Sequence, residues 1–122
     1  EAGTMPLTQI IGMGVAIDYW KANRPDTNLI EYMHDKLSEN PNVHVITQRD
    51  AALLTFYPKN MHVLDFGAMV GARGVCLRVG NMCAGWLHNA MKIPGTARIS
   101  VGPWNTMDDA QNAIKIINDI VK

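Results

Sequence analysis

The sequence predicts an α+β domain, with a small, mainly antiparallel sheet of about four strands that helices cover on one face. Three observations lead to this prediction. Apolar residues recur at helical spacing in four segments, and four short runs have the alternation typical of strands. A length of 122 residues suffices for one hydrophobic core but not comfortably for two.

Two helices are predicted at the start of the chain. Thr4 is a suitable N-cap for the first, which extends to about Trp20. Its apolar stripe consists of Leu7, Ile10, Ile11, Gly14 and Ile17. Thr27 is a suitable cap for the second helix, which extends to about Glu39 before Asn40 and Pro41 end it. Its expected buried face consists of Leu29, Ile30, Met33 and Leu37.

The middle of the chain predicts a hairpin followed by a third helix. Residues 43–47 and 52–57 are strand candidates separated by a polar turn. Between Pro58 and Gly74 the apolar spacing is helical again, and Gly74 suits a left-handed helix end. The expected core positions of this helix are Val63, Phe66, Met69 and Val70.

Two further strands and a last helix complete the pattern. In residues 75–79 and 97–101 apolar side chains alternate with others, so Arg78 and Arg98 share the non-core face if these strands are neighbours. The connection between the strands is predicted to be a loop. Thr106, followed by acidic residues, resembles a capping box. The stripe behind it consists of Ala110, Ala113, Ile114, Ile117 and Val121.

Composition excludes several functional classes. Eleven basic residues balance eleven acidic ones, which argues against a nucleic-acid surface. No apolar run is long enough to span a bilayer, and the N-terminus lacks the basic region of a signal peptide. We therefore expect a cytoplasmic protein that keeps Cys76 and Cys83 as separate thiols. The four histidines have no ligand-like spacing, and no metal site is predicted.

Cys83 is the residue whose chemistry folding alone does not explain. It lies in a glycine-bordered segment between the two arginine-bearing strands. The residues alone leave two interpretations open, a reactive thiol or a small buried apolar side chain. Cys76 alternates with core positions, and we interpret it as structural. Arg98 is compatible either with a solvated or ion-paired strand residue or with an anion site.

Several segments, in conserved order, resemble the bacterial group II cysteine desulfurases and selenocysteine lyases of the aminotransferase class V family. Residues 78–84 (RVGNMCA) are similar to R-x-G-H-H-C-A, and residues 95–100 (GTARIS) to G-T-A-R-A-S. Residues 104–106 (WNT) are similar to Y-N-T, residues 61–65 (MHVLD) to x-H-x-H-D, and residues 1–4 (EAGT) to the start of E-A-G-T-P. The resemblance covers almost the whole chain.

This resemblance implies a role for five residues. Cys83 would be the nucleophile that takes the substrate sulfur as a persulfide, and Arg98 would bind the substrate α-carboxylate. Arg78 and Asn81 would assist at that substrate site, and Thr4 would reach the cofactor phosphate of a neighbouring subunit. Three positions depart from the family pattern, because Asn81, Met82 and Leu64 stand where histidines are expected.

The resemblance further implies the C-terminal small domain of a pyridoxal-phosphate enzyme of fold type I. Residues 1–20 would link to a large cofactor domain, and residues 21–122 would form the small domain. No lysine has the expected Schiff-base context, so we expect no cofactor on this chain alone and no activity without the other domain. The complete enzyme would be a homodimer acting on L-cysteine or selenocysteine.

The sulfur of such an enzyme would pass to an acceptor protein, as in iron–sulfur cluster assembly. Two alternatives remain beside this leading hypothesis. One is a stand-alone carrier of sulfane sulfur at Cys83, and the other is a structural or interaction module without catalysis.

Overall fold

The computed structural model describes residues 3–122, and Glu1 and Ala2, which open the resemblance at residues 1–4, lie outside the described part. Five helices and four strands follow one another along the chain. They are α1 (Leu7–Ala22), α2 (Thr27–Ser38), β1 (Val43–Val45), β2 (Leu54–Pro58), α3 (Val63–Ala72), β3 (Arg78–Gly80), α4 (Gly85–Met91), β4 (Thr96–Ile99) and α5 (Met107–Ile120).

The strands form one antiparallel sheet in the order β1-β2-β4-β3. The predicted hairpin is confirmed, because Val43 pairs with Pro58 and Val45 with Phe56. Strand β4 inserts between β2 and β3, pairing Leu54 with Ile99 and Val79 with Ala97. The α+β class and the antiparallel four-stranded sheet are therefore confirmed.

Helices α2, α3 and α5 cover one face of this sheet and form the core with it. Phe56 and Phe66 meet edge to face in its centre, with ring centroids 5.8 Å apart, an arrangement that aromatic pairs favour. All the predicted core positions of α2 and α5 are buried. The core includes both sheet and helix residues, from Leu29 in α2 to Val121 after α5.

Helix α1 lies apart from this core. Every described residue from Gly3 to Arg24 is exposed, including the whole predicted stripe. The helix is longer than predicted, ending at Ala22 rather than near Trp20. The prediction of Thr4 as its cap is wrong, because the N-cap is Pro6 and no side chain caps the helix.

Three other details differ from the sequence prediction. Residues 85–91 form the short helix α4 instead of a loop. Met69 is 46% exposed, because it lies at the edge of the face that α3 buries. Asp26, and not Thr27, caps α2, through a bond that its carboxylate accepts from the Asn28 amide at 3.0 Å.

Among residues 3–122 there is no helix long and apolar enough to cross a membrane.

Candidate functional site

Arg78 and Arg98 face each other across strands β3 and β4. They are direct register partners, and Thr55 of β2 is the partner of Arg98 on its other side. Because register partners project to the same side, all three side chains lie on the sheet face that α2, α3 and α5 leave uncovered. The structure thus brings the two arginines together, as the alternation of the two runs predicted.

The two guanidinium groups have no counter-charge among residues 3–122. None of the ion pairs in this part of the chain involves Arg78 or Arg98. The Nε atom of Arg98 is buried without a hydrogen-bond partner. Like charges directly opposite each other are destabilising in a sheet, and a buried unpaired donor adds to the cost. An anion bound between the two arginines would relieve both.

A wide, shallow depression gives access to these arginines. It is lined by Cys76, Leu77, Arg78, Val79, Arg98 and Ser100. Cys76 is exposed here, so its interpretation as a packing residue is wrong. A guanidinium offers donors in a planar fork that matches a carboxylate, and two of them at one opening suit a small carboxylate ligand.

Cys83 lies on the turn that follows β3. The Ala84 amide donates to the Asn81 carbonyl oxygen at 2.7 Å and closes the turn. The two central residues, Met82 and Cys83, have φ angles of 49° and 63°. Such left-handed values cost about 1–2 kcal/mol per residue for side chains with a Cβ. The turn presents Cys83 as an exposed free thiol on a strained backbone, the kind of strain often found at functional sites.

The three positions that depart from the family histidines cluster around this turn. Asn81 and Met82 belong to it, and the Leu64 side chain lies beside Gly80, where a Cβ would be 3.7 Å away. None of these side chains can donate and accept a proton near pH 7. The chemistry at the turn therefore depends on groups other than these three.

The other predicted site residues are not all brought to one place. Cys83 does not line the depression between the arginines, although it follows β3 directly. Asn81 is exposed, and its carbonyl serves the turn. Thr4 lies in the exposed segment before α1, far along the chain from the sheet face.

Sequence reasoning gave no role to His88, which the structure places next to the cysteine turn. It is 4% exposed, and its ring contacts the Ala84 carbonyl and the Thr96 hydroxyl. The only signal in the sequence was the five-residue interval from Cys83, which fits no metal-site spacing. Among residues 3–122 no group of three metal-ligating side chains is arranged around an ion-sized space.

Comparison with known proteins gives consistent results. The sequence model of the family described as aminotransferase class-V matches residues 1–112. A probable cysteine desulfurase of Pseudomonas aeruginosa is 30% identical over 118 residues, which are 91% of this chain and 29% of the relative. Cysteine desulfurase CsdA of Escherichia coli is 27% identical, over 97% of this chain and 31% of that protein.

Two solved structures share the fold. The structure of the Escherichia coli cysteine desulfurase CsdA in its S-sulfonic acid form has a TM-score of 0.86 at 26% identity, covering 99% of this chain. The apo structure of a cysteine desulfurase from Thermococcus onnurineus has a TM-score of 0.88 at 23% identity. The chain spans about a third of each of these structures and about three tenths of the length of the two curated relatives.

Proposed function

Since the chain belongs to the aminotransferase class V family, we propose that it is the C-terminal small domain of a cysteine desulfurase-like enzyme. In this proposal Cys83 accepts the sulfur, and Arg98 binds the substrate carboxylate with help from Arg78 and Asn81. One observation carries the proposal: two facing arginines without counter-charge in residues 3–122 lie on the strands that flank an exposed thiol.

The arginine pair supports an amino-acid substrate. Arg98 is half-buried with an unpartnered Nε, so it has a donor to offer and little freedom to move away. Arg78 is exposed and adds charge at the opening. A charge-assisted bond from a guanidinium to a carboxylate is about twice as strong as a neutral one. L-cysteine, whose carboxylate and sulfur are three bonds apart, is the substrate we propose.

Cys83 would take the sulfur in one displacement. Its thiolate attacks the substrate sulfur and forms a sulfur–sulfur bond, the carbon–sulfur bond breaks, and the electron pair stays with the substrate carbon. The product on this chain is a persulfide at Cys83. Because Asn81, Met82 and Leu64 cannot transfer protons, no acid–base help comes from these positions.

The electron pair left on carbon requires an electron sink such as pyridoxal phosphate. The lysines of this chain do not fit a covalently held cofactor, because none lines the depression between the arginines. Four of them bond elsewhere: Lys21 to Asp18, Lys36 to Glu39, Lys59 to the Pro41 carbonyl and Lys122 to Asp119. The cofactor would therefore be held by a large domain outside residues 1–122.

Helix α1 supports the existence of such a domain. Its apolar side chains are exposed, among them Leu7 and Ile11 at 61% and 68%, and soluble proteins seldom leave such a surface uncovered. We propose that residues 1–20 join the large domain to the small domain of residues 21–122, and that Thr4 reaches a cofactor phosphate in the neighbouring subunit of a homodimer. We also propose that the enzyme is cytoplasmic and passes its sulfur to an acceptor protein.

The decisive experiment uses the longer reading frame that the proposal requires. Its product, purified with pyridoxal phosphate, should release sulfide from L-cysteine in the presence of a reductant. Cys83→Ser should lower this rate at least a hundredfold, whereas Cys76→Ser, the matched control on the other free thiol, should lower it far less, because Cys76 only lines the depression. Absence of a cofactor-binding segment upstream, or a Cys83→Ser enzyme as active as the wild type, would refute the proposal.

A stand-alone carrier of sulfane sulfur is the second candidate. The exposure of Cys83 favours it, together with the absence of a lysine at the depression in the described residues. Here the 122-residue chain is incubated with an inorganic polysulfide and mapped by mass spectrometry. Persulfide that forms on Cys83 and not on Cys76, which is also exposed, in a protein with no upstream cofactor domain, would favour the carrier over the enzyme.

The α1 surface has its own test. The isolated 122-residue chain, lacking the proposed large domain, should self-associate through Leu7 to Ile17, and its apparent mass should rise with concentration in size-exclusion chromatography. A monomeric profile across a wide concentration range would contradict this expectation.

A further inference from the structure

We infer that His88 is a positioning residue that ties the Cys83 turn to strand β4 and so fixes the thiol relative to Arg98. His88 and Thr96 are the two buried polar residues of the described chain, each 4% exposed, and they contact each other. That these contacts serve to place the Cys83 thiol near Arg98 rests on the proposed function, but the contacts themselves do not.

The first contact of His88 is with the last residue of the Cys83 turn. Its Nδ1 lies 2.8 Å from the carbonyl oxygen of Ala84, the residue after Cys83. A carbonyl oxygen only accepts, so Nδ1 carries the proton and the tautomer is fixed. The same oxygen accepts the His88 backbone amide at 3.1 Å, and the Ala84 amide closes the turn on Asn81. Both polar groups of the Ala84 backbone are thereby occupied.

The second contact reaches the arginine strand. With the proton on Nδ1, Nε2 is the nitrogen that can accept from the Thr96 hydroxyl, which lies 3.2 Å away. Thr96 lies two residues before Arg98 in β4, on the same face of the strand. Thr96 is also the register partner of Gly80, the last residue of β3 before the turn. The turn is therefore attached to β4 at both ends, by backbone pairing at Gly80 and by His88 beyond Cys83.

These attachments explain how a strained turn persists. Met82 and Cys83 both occupy the left-handed region, which an unconstrained loop would leave. Helix α4 has seven residues and no side-chain N-cap, so its own hydrogen bonds give little stability. The His88 ring supplies the missing restraint, because it joins the helix to both the turn and the sheet.

The inference is tested on the 122-residue chain with three variants. His88→Leu removes both contacts, and Thr96→Val removes only the hydroxyl at nearly constant volume. His88→Asn is the conservative variant, because its side-chain amide can still donate to the Ala84 carbonyl. The measurements are the backbone NMR shifts of Met82 and Cys83, and the ratio of iodoacetamide alkylation rates at Cys83 and Cys76.

In the wild type the backbone NMR shifts of Met82 and Cys83 should be those of residues in the left-handed region. His88→Leu should move them toward extended values and change the alkylation ratio roughly three- to tenfold, as expected for one or two lost hydrogen bonds. His88→Asn should restore most of both signals, and Thr96→Val should change them less than His88→Leu. A general loss of structure would change the alkylation rate of Cys76 as much as that of Cys83. The His88→Asn variant would then not restore the wild-type values.

Unchanged shifts and ratio in folded His88→Leu would overturn the inference. If that variant does not fold, unchanged values in Thr96→Val would do so. Neither measurement needs a cofactor or a sulfur donor. A failure of the desulfurase proposal therefore appears as absent sulfide release with the expected NMR shifts, and a failure of the His88 inference as the reverse.

Discussion

The two faces of the sheet differ in what covers them. On one face, Leu54, Phe56, Ala97 and Ile99 are buried under α2, α3 and α5. On the other, Thr55, Arg78 and Arg98 lie in register on the face that α2, α3 and α5 leave uncovered, and His88 of α4 contacts Thr96 there. In one strand, therefore, a residue on the covered face contributes to stability, and its neighbour on the open face contributes to the candidate site. Substitutions at adjacent positions should affect one without the other.

The largest effect is expected on the covered face. Phe56→Ala should lower the free energy of unfolding by about 3–5 kcal/mol, because it removes a fully buried ring packed on Phe66. Thr55→Ala, one residue away on the open face, is the matched control and should cost less than about 1 kcal/mol. Urea unfolding followed by circular dichroism measures both. Equal losses would mean that the two faces do not differ in this way.

The next effect lies where the two arginine strands approach each other. A Cβ on Gly95, whose φ is 151°, would lie 3.0 Å from Val63 Cγ1 and 3.1 Å from the Gly80 carbonyl carbon. Gly95→Ala should therefore lower the free energy of unfolding by roughly 1–3 kcal/mol and disturb the Cys83 turn, which follows Gly80 directly. The control is Gly71→Ala in α3, where the added Cβ meets nothing within 4 Å. It should stabilise the helix by about 0.5–1 kcal/mol.

On the open face, removing an arginine should not destabilise the fold. Arg78→Gln ends the like-charge contact with Arg98, so the free energy of unfolding should stay constant or rise by about 0.2–1 kcal/mol. Arg73→Gln is the control, because the Arg73 guanidinium lies 3.8 Å from Asp119. Loss of this ion pair should lower the free energy of unfolding by up to about 1 kcal/mol. Chemical denaturation compares the two. A clear loss in Arg78→Gln would show that the pair is satisfied within the chain.

The smallest effect involves an ion pair outside both faces. The Arg49 guanidinium donates to Asp35 at 2.9 Å and lowers the pKa of that carboxyl below its ordinary 3.8. A carboxyl with a lowered pKa in the folded state contributes stability above its ordinary pKa, and this is lost as the pH falls through the folded pKa. The melting temperature should thus fall below about pH 3.8 by slightly more in the wild type than in Asp35→Asn. Parallel profiles would assign this contribution to other carboxyls.

Much of the covered face could be predicted from the sequence. The stripes of α2 and α5 are buried as expected, and Thr106 caps α5 in a capping box with Asp109. Such features depend on residues three or four positions apart, so local spacing carries them. For the same reason the left-handed Gly74 after α3 was predictable.

The open face was predictable only in part. Alternation along the two runs indicated that Arg78 and Arg98 would share a face if the strands were neighbours, and their register confirms it. Helix α4 was missed, because its seven residues have no side-chain cap and its restraint is the contact of His88 with Thr96 in another strand. No helical periodicity could reveal a bond of this kind.

The sequence by itself determined the α+β class, the buried stripes of α2 and α5 and the hairpin, since each follows from a short-range pattern. Through its resemblance it also indicated Cys83 and Arg98 as candidate site residues. Only the tertiary structure decided that β4 lies between β2 and β3, that two arginines face each other without counter-charge in the described residues, and that His88 ties the cysteine turn to β4. Strand order and such contacts join residues distant in the chain, and their free energy comes from packing and hydrogen bonds that no local segment contains.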